Sequence, residues 1–311
     1  MIALNENPAI VLLPILGLGL LTACAPKQGV PPSLRKAPAG ALTCWGAPEH
    51  GRTMAPAGRF KQVSAGPYHS CAIDSEGLLS CWGLNDNGQS STPPGRFAQV
   101  SAGAWQTCAL QPRGVMQCWG EEHSPTRADS PFVPTVDTAT KRFHQVSVGA
   151  THSCAVDSAG ALHCWGDNLY GQASPPVGAF RQVSVGKDHS CAVAVTGDIV
   201  CWGPDSGVTA LYDFGQSKAP RGQFNQVSAG REHSCAVDTS GEIQCWGRDK
   251  LGESSPPPGA FFQVSLHGWS SCAVETSGKL RCWGDPSAPP PGRYLEAKVA
   301  GNGNGCGIVV P

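Results

Sequence analysis

The cysteines are the residues in this chain with the most chemistry to offer. There are 15 of them in 311 residues. Twelve fall into pairs ten residues apart: Cys71 and Cys81, Cys108 and Cys118, Cys154 and Cys164, Cys191 and Cys201, Cys235 and Cys245, and Cys272 and Cys282. The second member of each pair opens a Cys-Trp-Gly. A seventh Cys-Trp-Gly starts at Cys44 with no cysteine ten residues before it, and Cys306 has none ten residues after it. Paired thiols bind metal or oxidise. Zinc-binding pairs normally stand two to four residues apart, so nine intervening residues is the wrong spacing. A disulfide asks instead that two Cα atoms be held about 4.4–6.8 Å apart.

A β-hairpin supplies that distance. Between Cys71 and Cys81 the chain reads AIDSEGLLS. Asp74 first and Gly77 fourth fit a type I turn, and a left-handed glycine completes a three-residue hairpin loop with a bulge. The hairpin closes on Asp74 opposite Leu78, so counting back sets Cys71 opposite Cys81 in a non-hydrogen-bonded pair, about 4.5 Å apart. The same glycine recurs six residues after each first cysteine, at Gly77, Gly114, Gly160, Gly197, Gly241 and Gly278. Six cross-strand disulfides are therefore expected, with Asp74, Asp157 and Asp238 capping their turns. Gly40 lies four residues before Cys44, as the hairpin glycine does in each full unit. GALTCWG is then a second hairpin strand without its turn, and CGIVV (306–310) is a first strand that stops where the turn should begin. Together they make one unit, with Cys44–Cys306 as its bond.

The second cysteines are separated by 37, 46, 37, 44 and 37 residues, a period of 37 with two insertions. No stretch keeps a helical period; QVSAG, SCAVD and GxLxCWG carry β-formers. Short β units repeated about seven times point to a seven-bladed β-propeller rather than a β-solenoid. The expected fold is all-β, closed by N- and C-terminal strands that share one blade, with one disulfide per blade. The consensus AGxxHSCAVDxxGxLxCWGxNxxGQ resembles the repeat of the regulator of chromosome condensation family. The full ending stands at WGLNDNGQ (82–89) and WGDNLYGQ (165–172), and other blades lose it. The resemblance covers residues 40–311 and implies the seven-bladed propeller; the cysteine pairs replace apolar residues of intracellular members. It also brings in a secreted bacterial β-lactamase-inhibitory protein that shares the fold.

Residues 1–24 read as an export signal. Positions 9–23 form an uncharged run of fifteen residues containing Pro14, shorter than the about 20 residues of a spanning helix. It ends in LTAC, which resembles the lipobox of bacterial lipoproteins and implies lipidation of Cys24, although no Lys or Arg precedes the run. Removing Cys24 leaves an even number of cysteines, as disulfides in an oxidising compartment require. Residues 25–39 are polar and proline-rich, a disordered tether. The expected location is extracytoplasmic, lipid-anchored to the cell envelope, or else secreted.

Charged residues are only 14% of the chain and its net charge is -1, against roughly 25% charged in typical soluble domains. Such a chain has no electrostatic footprint for nucleic acid. No G-x-S-x-G, H-E-x-x-H or Walker loop is present; GNGNG (301–305) is a degenerate repeat segment and NDNG (85–88) a turn. No enzyme activity, metal or cofactor is expected. His69, His152, His189 and His233 share one repeat position, held by Gln106, Ser270 and Asn304 in the other blades. A structural hydrogen bond within each blade is expected of them. The seven tryptophans of Cys-Trp-Gly should pack between blades. Trp105 and Trp269 fall outside that position and are ligand-contact candidates. The insertions 121–142 and 204–223 leave the repeat at one point and so emerge on one face, with His123, Arg127, Phe132, Tyr212 and Phe214 as interface candidates. The expected function is non-enzymatic binding of a protein or glycan partner by a monomeric propeller. The alternative is inhibition of an extracellular enzyme, as the secreted relative implies. Guanine-nucleotide exchange, as in eukaryotic family members, fits the export signal poorly.

Overall fold

A computed structural model describes residues 39–121, 123–124, 127–131, 134, 137–204, 213–285, 288–301 and 303–310, with 123–124 and 127–131 described in backbone only. The expected signal, Cys24 and the tether up to residue 38 lie outside the described residues.

Seven three-stranded antiparallel sheets follow one another in the chain. Blade 1 comprises Phe60–Ala65, His69–Asp74 and Leu79–Gly83. Blade 2 comprises Gln99–Ala102, Gln106–Leu110 and Met116–Gly120; blade 3, Phe143–Val148, His152–Asp157 and Leu162–Gly166. Blade 4 comprises Phe180–Val185, Ser190–Ala194 and Ile199–Trp202; blade 5, Phe224–Ala229, His233–Asp238 and Ile243–Gly247. Blade 6 comprises Phe261–His267, Ser270–Glu275 and Leu280–Gly284. Blade 7 takes Arg293–Gly301 and Asn304–Val310 from the C-terminus and Ala41–Trp45 from the N-terminus. The chain is a closed seven-bladed propeller. First strands of successive blades touch each other and line the axis.

The hairpin register is the one the spacing requires. The Asp74 N–H bonds the Leu78 carbonyl at 3.0 Å, and Asp74 Oδ1 accepts from the Glu76 and Leu78 N–H groups. Gly77 has φ 93°, and the five equivalent glycines are likewise left-handed. Cys71 pairs with Cys81 and Cys44 with Cys306 in strand register. All seven disulfides are formed, with Cα separations of 4.0–4.1 Å. Gly40 exchanges hydrogen bonds with Phe60, as Gly77 does in receiving the Phe97 N–H, so it holds the place of a hairpin glycine.

The core is divided among the interfaces between blades. Between blades 1 and 2 the Cys71–Cys81 bridge, Ile73 and Leu79 pack on Phe97, Val100, Ala102, Ala109 and Trp119. The pattern repeats around the ring and includes the seam, where Cys306 and Ile308 of blade 7 meet Phe60, Val63 and Trp82 of blade 1. Each disulfide therefore faces the next blade, and that blade's Cys-Trp-Gly tryptophan faces back. Trp119, Trp202, Trp246 and Trp283 direct Nε1–H to the carbonyls of Gln89, Gln172, Gln216 and Glu253 in the preceding inter-blade loop, at 2.8–3.0 Å.

First strands of adjacent blades are joined by side chains. Gln145 Nε2 donates to the Val183 carbonyl at 2.8 Å, and Gln145 Oε1 accepts the Val183 N–H at 2.6 Å. Gln62, Gln99, Gln182 and Gln226 bond Val100, Val146, Val227 and Val264 in the same way. Two residues further on, serine hydroxyls accept N–H groups of the next blade: Ser64 from Ala102, Ser101 from Val148, Ser147 from Val185. The seam departs from this. Glu296 accepts the Val63 N–H at 3.1 Å but, as a carboxylate, donates nothing to the Val63 carbonyl. Lys298 stands where the other blades place serine.

One reading of the sequence needs correction. The insertion at 204–223 does not erase the repeat ending. Asp213-Phe214-Gly215-Gln216 is that ending, displaced along the chain. The Phe214 N–H bonds Gln216 Oε1 at 2.7 Å, as the Asn87 and Tyr170 N–H groups bond Gln89 and Gln172. In the next loop Glu253 plays the glutamine's part, accepting from Leu251 N–H. Glutamate can replace glutamine there because the bond to the backbone N–H needs only an acceptor oxygen.

Two outcomes test this account. Glu296→Gln restores the missing donor at the seam and should stabilise the propeller by about 0.5–1.5 kcal/mol in urea unfolding. Removing Cys44–Cys306 releases a loop closed over 262 residues; by chain entropy it should cost about 5 kcal/mol, against about 3 for removing Cys71–Cys81.

Candidate functional site

The repeated histidines are the first candidate, and the structure assigns them to the frame. His69 Nε2 lies 2.6 Å from Thr107 Oγ1, and His152, His189 and His233 Nε2 lie 2.8 Å from Ser190, Ser234 and Ser271 Oγ. These hydroxyls in turn donate to the carbonyls of Gln89, Gln172, Gln216 and Glu253. The hydroxyl's proton is thus committed, so Nε2 carries a hydrogen and donates it. The expected bond within a blade is instead a bond between blades: each acceptor belongs to the next one. All four rings are fully buried. Burial pushes the pKa of His69 and His233 down to about 4, and of His152 and His189 to about 3.

The second candidate is the mouth of the axis. Six of the seven first strands end in Gly-x-x and turn back into the second strand, the Gly66 N–H, for example, bonding the His69 carbonyl at 2.9 Å; in blade 6 His267 holds the glycine's place, followed by Gly268 and Trp269. A Cβ on Gly66, Gly103 or Gly186 would sit 2.2–2.4 Å from the carbonyl of the corresponding glycine in the next blade. At these positions only glycine lets neighbouring turns crowd round the axis this closely. The two residues after this position are then thrust to the rim. They enclose a cavity of about 360 Å³ lined by Tyr68, Trp105, Thr151, Lys187, Arg231 and Trp269, with Arg52, Glu49 and His267 beside them.

Two clusters dominate this rim. Tyr68 and Trp105, from blades 1 and 2, stack with ring centroids 4.6 Å apart at 38°. On the opposite flank the Arg231 guanidinium lies 4.6 Å from the Trp269 ring centroid and that of Arg248 5.4 Å away, both in cation–π range. Arg248 Nη1 bonds Glu253 Oε1 at 2.7 Å, and Glu232 lies 3.4 Å from Arg248 and 3.5 Å from Arg231. Burial lowers the pKa of His267 to about 4. Lys187 pairs with Asp188 at 3.0 Å and Arg52 with Glu49 at 2.9 Å.

Trp105 and Trp269 thus line one cavity without touching each other. The third strand of each blade ends on this face: the N–H groups of Glu121 and Asp285 bond the carbonyls of Trp105 and Trp269 at 2.9 and 3.1 Å. Insertion 121–142 therefore springs from the rim, and His123 and Arg127 lie on a short hairpin, His123–Ser124 with Arg127–Pro131, within it. Phe132 and Tyr212 lie outside the described residues. Phe214 is 37% exposed, on the repeat's own turn rather than on inserted chain. Tyr68, Lys187, Arg231 and Arg248 were missed from sequence. The signal was available for three of them: between the turn glycine and the histidine position stand PY, AW, AT, KD and RE, the least uniform pair in an otherwise uniform segment.

Residues 60–89, 143–172, 180–206 and 224–253 match the regulator of chromosome condensation (RCC1) repeat. These are blades 1, 3, 4 and 5 with the loops that follow. Four of the seven blades thus match that repeat, and the fold is an RCC1-like β-propeller. Among solved structures it is similar to Prp20p from Saccharomyces cerevisiae, with a TM-score of 0.73 and 16% identity over 88% of this chain and 92% of that one. It is similar also to the entire ectodomain of the Physcomitrella patens receptor kinase CR4, with a TM-score of 0.65 and 24% identity over 80% and 70%. Human WBSCR16 gives a TM-score of 0.68 and 16% identity over 87% and 100%. At these identities the likeness is one of fold. No curated protein sequence matches the chain.

The four buried histidines make the ring acid-sensitive. Their folded pKa values lie below the ordinary 6.5, so between about pH 6.5 and 4 the unfolded chain binds protons that the folded chain does not. Stability should fall as pH drops through that window, by up to about 2 kcal/mol per histidine at pH 5. Urea midpoints measured from pH 7.5 to 4.5 check this, and His152→Gln should flatten the curve.

Proposed function

We propose that this protein is a non-enzymatic binding scaffold of the cell envelope that takes a protein or glycan partner at the mouth of its axis. The observation that carries this reading is the division of labour within the repeat. Uniform residues build the frame, while the two variable positions of each turn converge on one concave face rich in aromatic and cationic side chains. Such residues dominate binding hot spots, and a cavity of this size suits ligand contact. Every described cysteine is in a disulfide, and the repeated histidines are tied into the frame, so neither is free for catalysis.

The seven disulfides point to an extracytoplasmic location. A similar fold covers 70% of the entire ectodomain of the Physcomitrella patens receptor kinase CR4. Lipidation at Cys24 completes the reading. The strand Ala41–Trp45 runs toward the mouth, Ala41 opposite Val309 and Trp45 opposite Gly305, so the chain enters from the other face. A lipid-anchored propeller would then turn its mouth away from the membrane.

The full chain should capture a partner from envelope extract or a glycan array, and Trp105→Ala/Arg231→Ala/Trp269→Ala should lose it. Equal capture by both proteins would sink the assignment of the mouth. Palmitate labelling of the wild type, lost in Cys24→Ala, tests the anchor.

A further inference from the structure

We propose that the mouth binds an uncharged sugar, seated on the blade 5–6 flank against Trp269 and Arg231 and facing Trp105. This rests on the reading of the mouth as the binding site and names its ligand class.

Three observations carry it. The first is a deficit of hydrogen-bond acceptors. Trp269 Nε1 and Arg231 Nε are both shielded from solvent and make no hydrogen bond within the chain, Arg231 Nε meeting Glu232 Oε1 only as an ion pair at 3.5 Å. Each can only donate. Trp165 Nε1, Gln89 Nε2 and Gln172 Nε2 are buried donors in the same state, but they belong to the frame, whereas Trp269 and Arg231 line the cavity. The carboxylates nearby do not fill the gap. Glu253 is fully buried and is used by Arg248 and by the Leu251 N–H at 2.6 Å. Glu232 is shared between Arg248 and Arg231 at ion-pair distances of 3.4 and 3.5 Å. When the Arg231 side chain moves off the Trp269 ring, an oxygen from outside the chain can accept from both donors.

The second observation is charge. The rim's cations have partners in place: Arg52 with Glu49, Lys187 with Asp188, and Arg231 and Arg248 with Glu232 and Glu253. A phosphate, carboxylate or ammonium ligand would add a net charge beside groups that are already balanced and partly desolvated, at a cost in electrostatic free energy. A neutral polyol adds none, and its hydroxyl and ring oxygens are the acceptors the donors lack.

The third is shape. The cavity is concave, about 360 Å³, and walled by three aromatic side chains, Tyr68, Trp105 and Trp269. A sugar ring has an apolar face that packs on an indole and a polar edge that meets donors. Arg231 covers the Trp269 ring and its side chain is 39% exposed, so it can swing out to admit a ring and close over it.

The test is intrinsic tryptophan fluorescence of the full chain titrated with neutral disaccharides (cellobiose, maltose and N,N′-diacetylchitobiose), with digalacturonate and with the dipeptides N-acetyl-Phe-Glu and N-acetyl-Phe-Gln. At least one neutral disaccharide should give a saturable change, with a Kd of about 1 mM or tighter. That Kd should be unchanged between low salt and about 0.5 M NaCl, where surface ionic contacts are screened. Trp269→Phe keeps a ring and removes the donor, and should weaken binding about tenfold. Arg231→Gln, at a half-exposed position that leaves the fold intact, should do the same. Tighter binding of digalacturonate or of either dipeptide, or strong salt dependence, would overturn the assignment. So would no saturable change with any neutral disaccharide. If partner capture still depended on the mouth in that case, the scaffold reading would stand and only the sugar would fall.

Discussion

The propeller depends on one substitution of side chain for backbone. First strands of neighbouring blades splay as they radiate from the axis, so they cannot form a continuous ladder. The carboxamide of the repeat glutamine has the same donor and acceptor as a peptide group. It reaches across and pairs with the N–H and carbonyl of a valine in the next blade, as Gln145 does with Val183. Serine two residues on adds a further acceptor, and the turn glycines let the chain ends meet. Each blade is thereby specified by its neighbour as much as by itself, and the hydrophobic clusters lie between blades for the same reason.

The disulfides act at a different level. Each ties the second strand of a blade to the third, at the middle of a hairpin whose register the turn already sets. A three-stranded sheet of some 37 residues is too small to bury a core of its own. Cross-linking the two strands farther from the axis and packing the bridge on the next blade's phenylalanine and tryptophan makes up the deficit. With the frame fixed in this way, the turn residues at the rim are free to vary, and the mouth differs from blade to block of blades while the geometry does not.

Much of this was legible in the sequence because it is local or periodic. The ten-residue cysteine spacing and the glycine four before the second cysteine fix the hairpin, and the same count applied to Gly40 and Cys44 gives the closed ring. What was hidden lies one repeat away. The acceptor of the His69 ring is Thr107 in the following blade, and a unit read in isolation offers no way to see it. The ending Asp213–Gln216 was concealed by seven displaced positions and by the loss of its asparagine. Trp105 and Trp269 stood out because tryptophan is conspicuous; Arg231 did not, since only the ring brings it over the indole of the next blade.

The shared blade has a further consequence. Its third strand is made first and its other two last, so Cys44 has no partner until Cys306 has been synthesised and delivered to the same compartment. A chain cut short between two hairpins can form its local bridges yet leaves Cys44 without its native partner. The bond between Cys44 and Cys306 is thus a chemical record of completeness. It makes the oxidation state of a single cysteine a proofreading signal that any thiol-sensing quality-control system outside the cytoplasm could read.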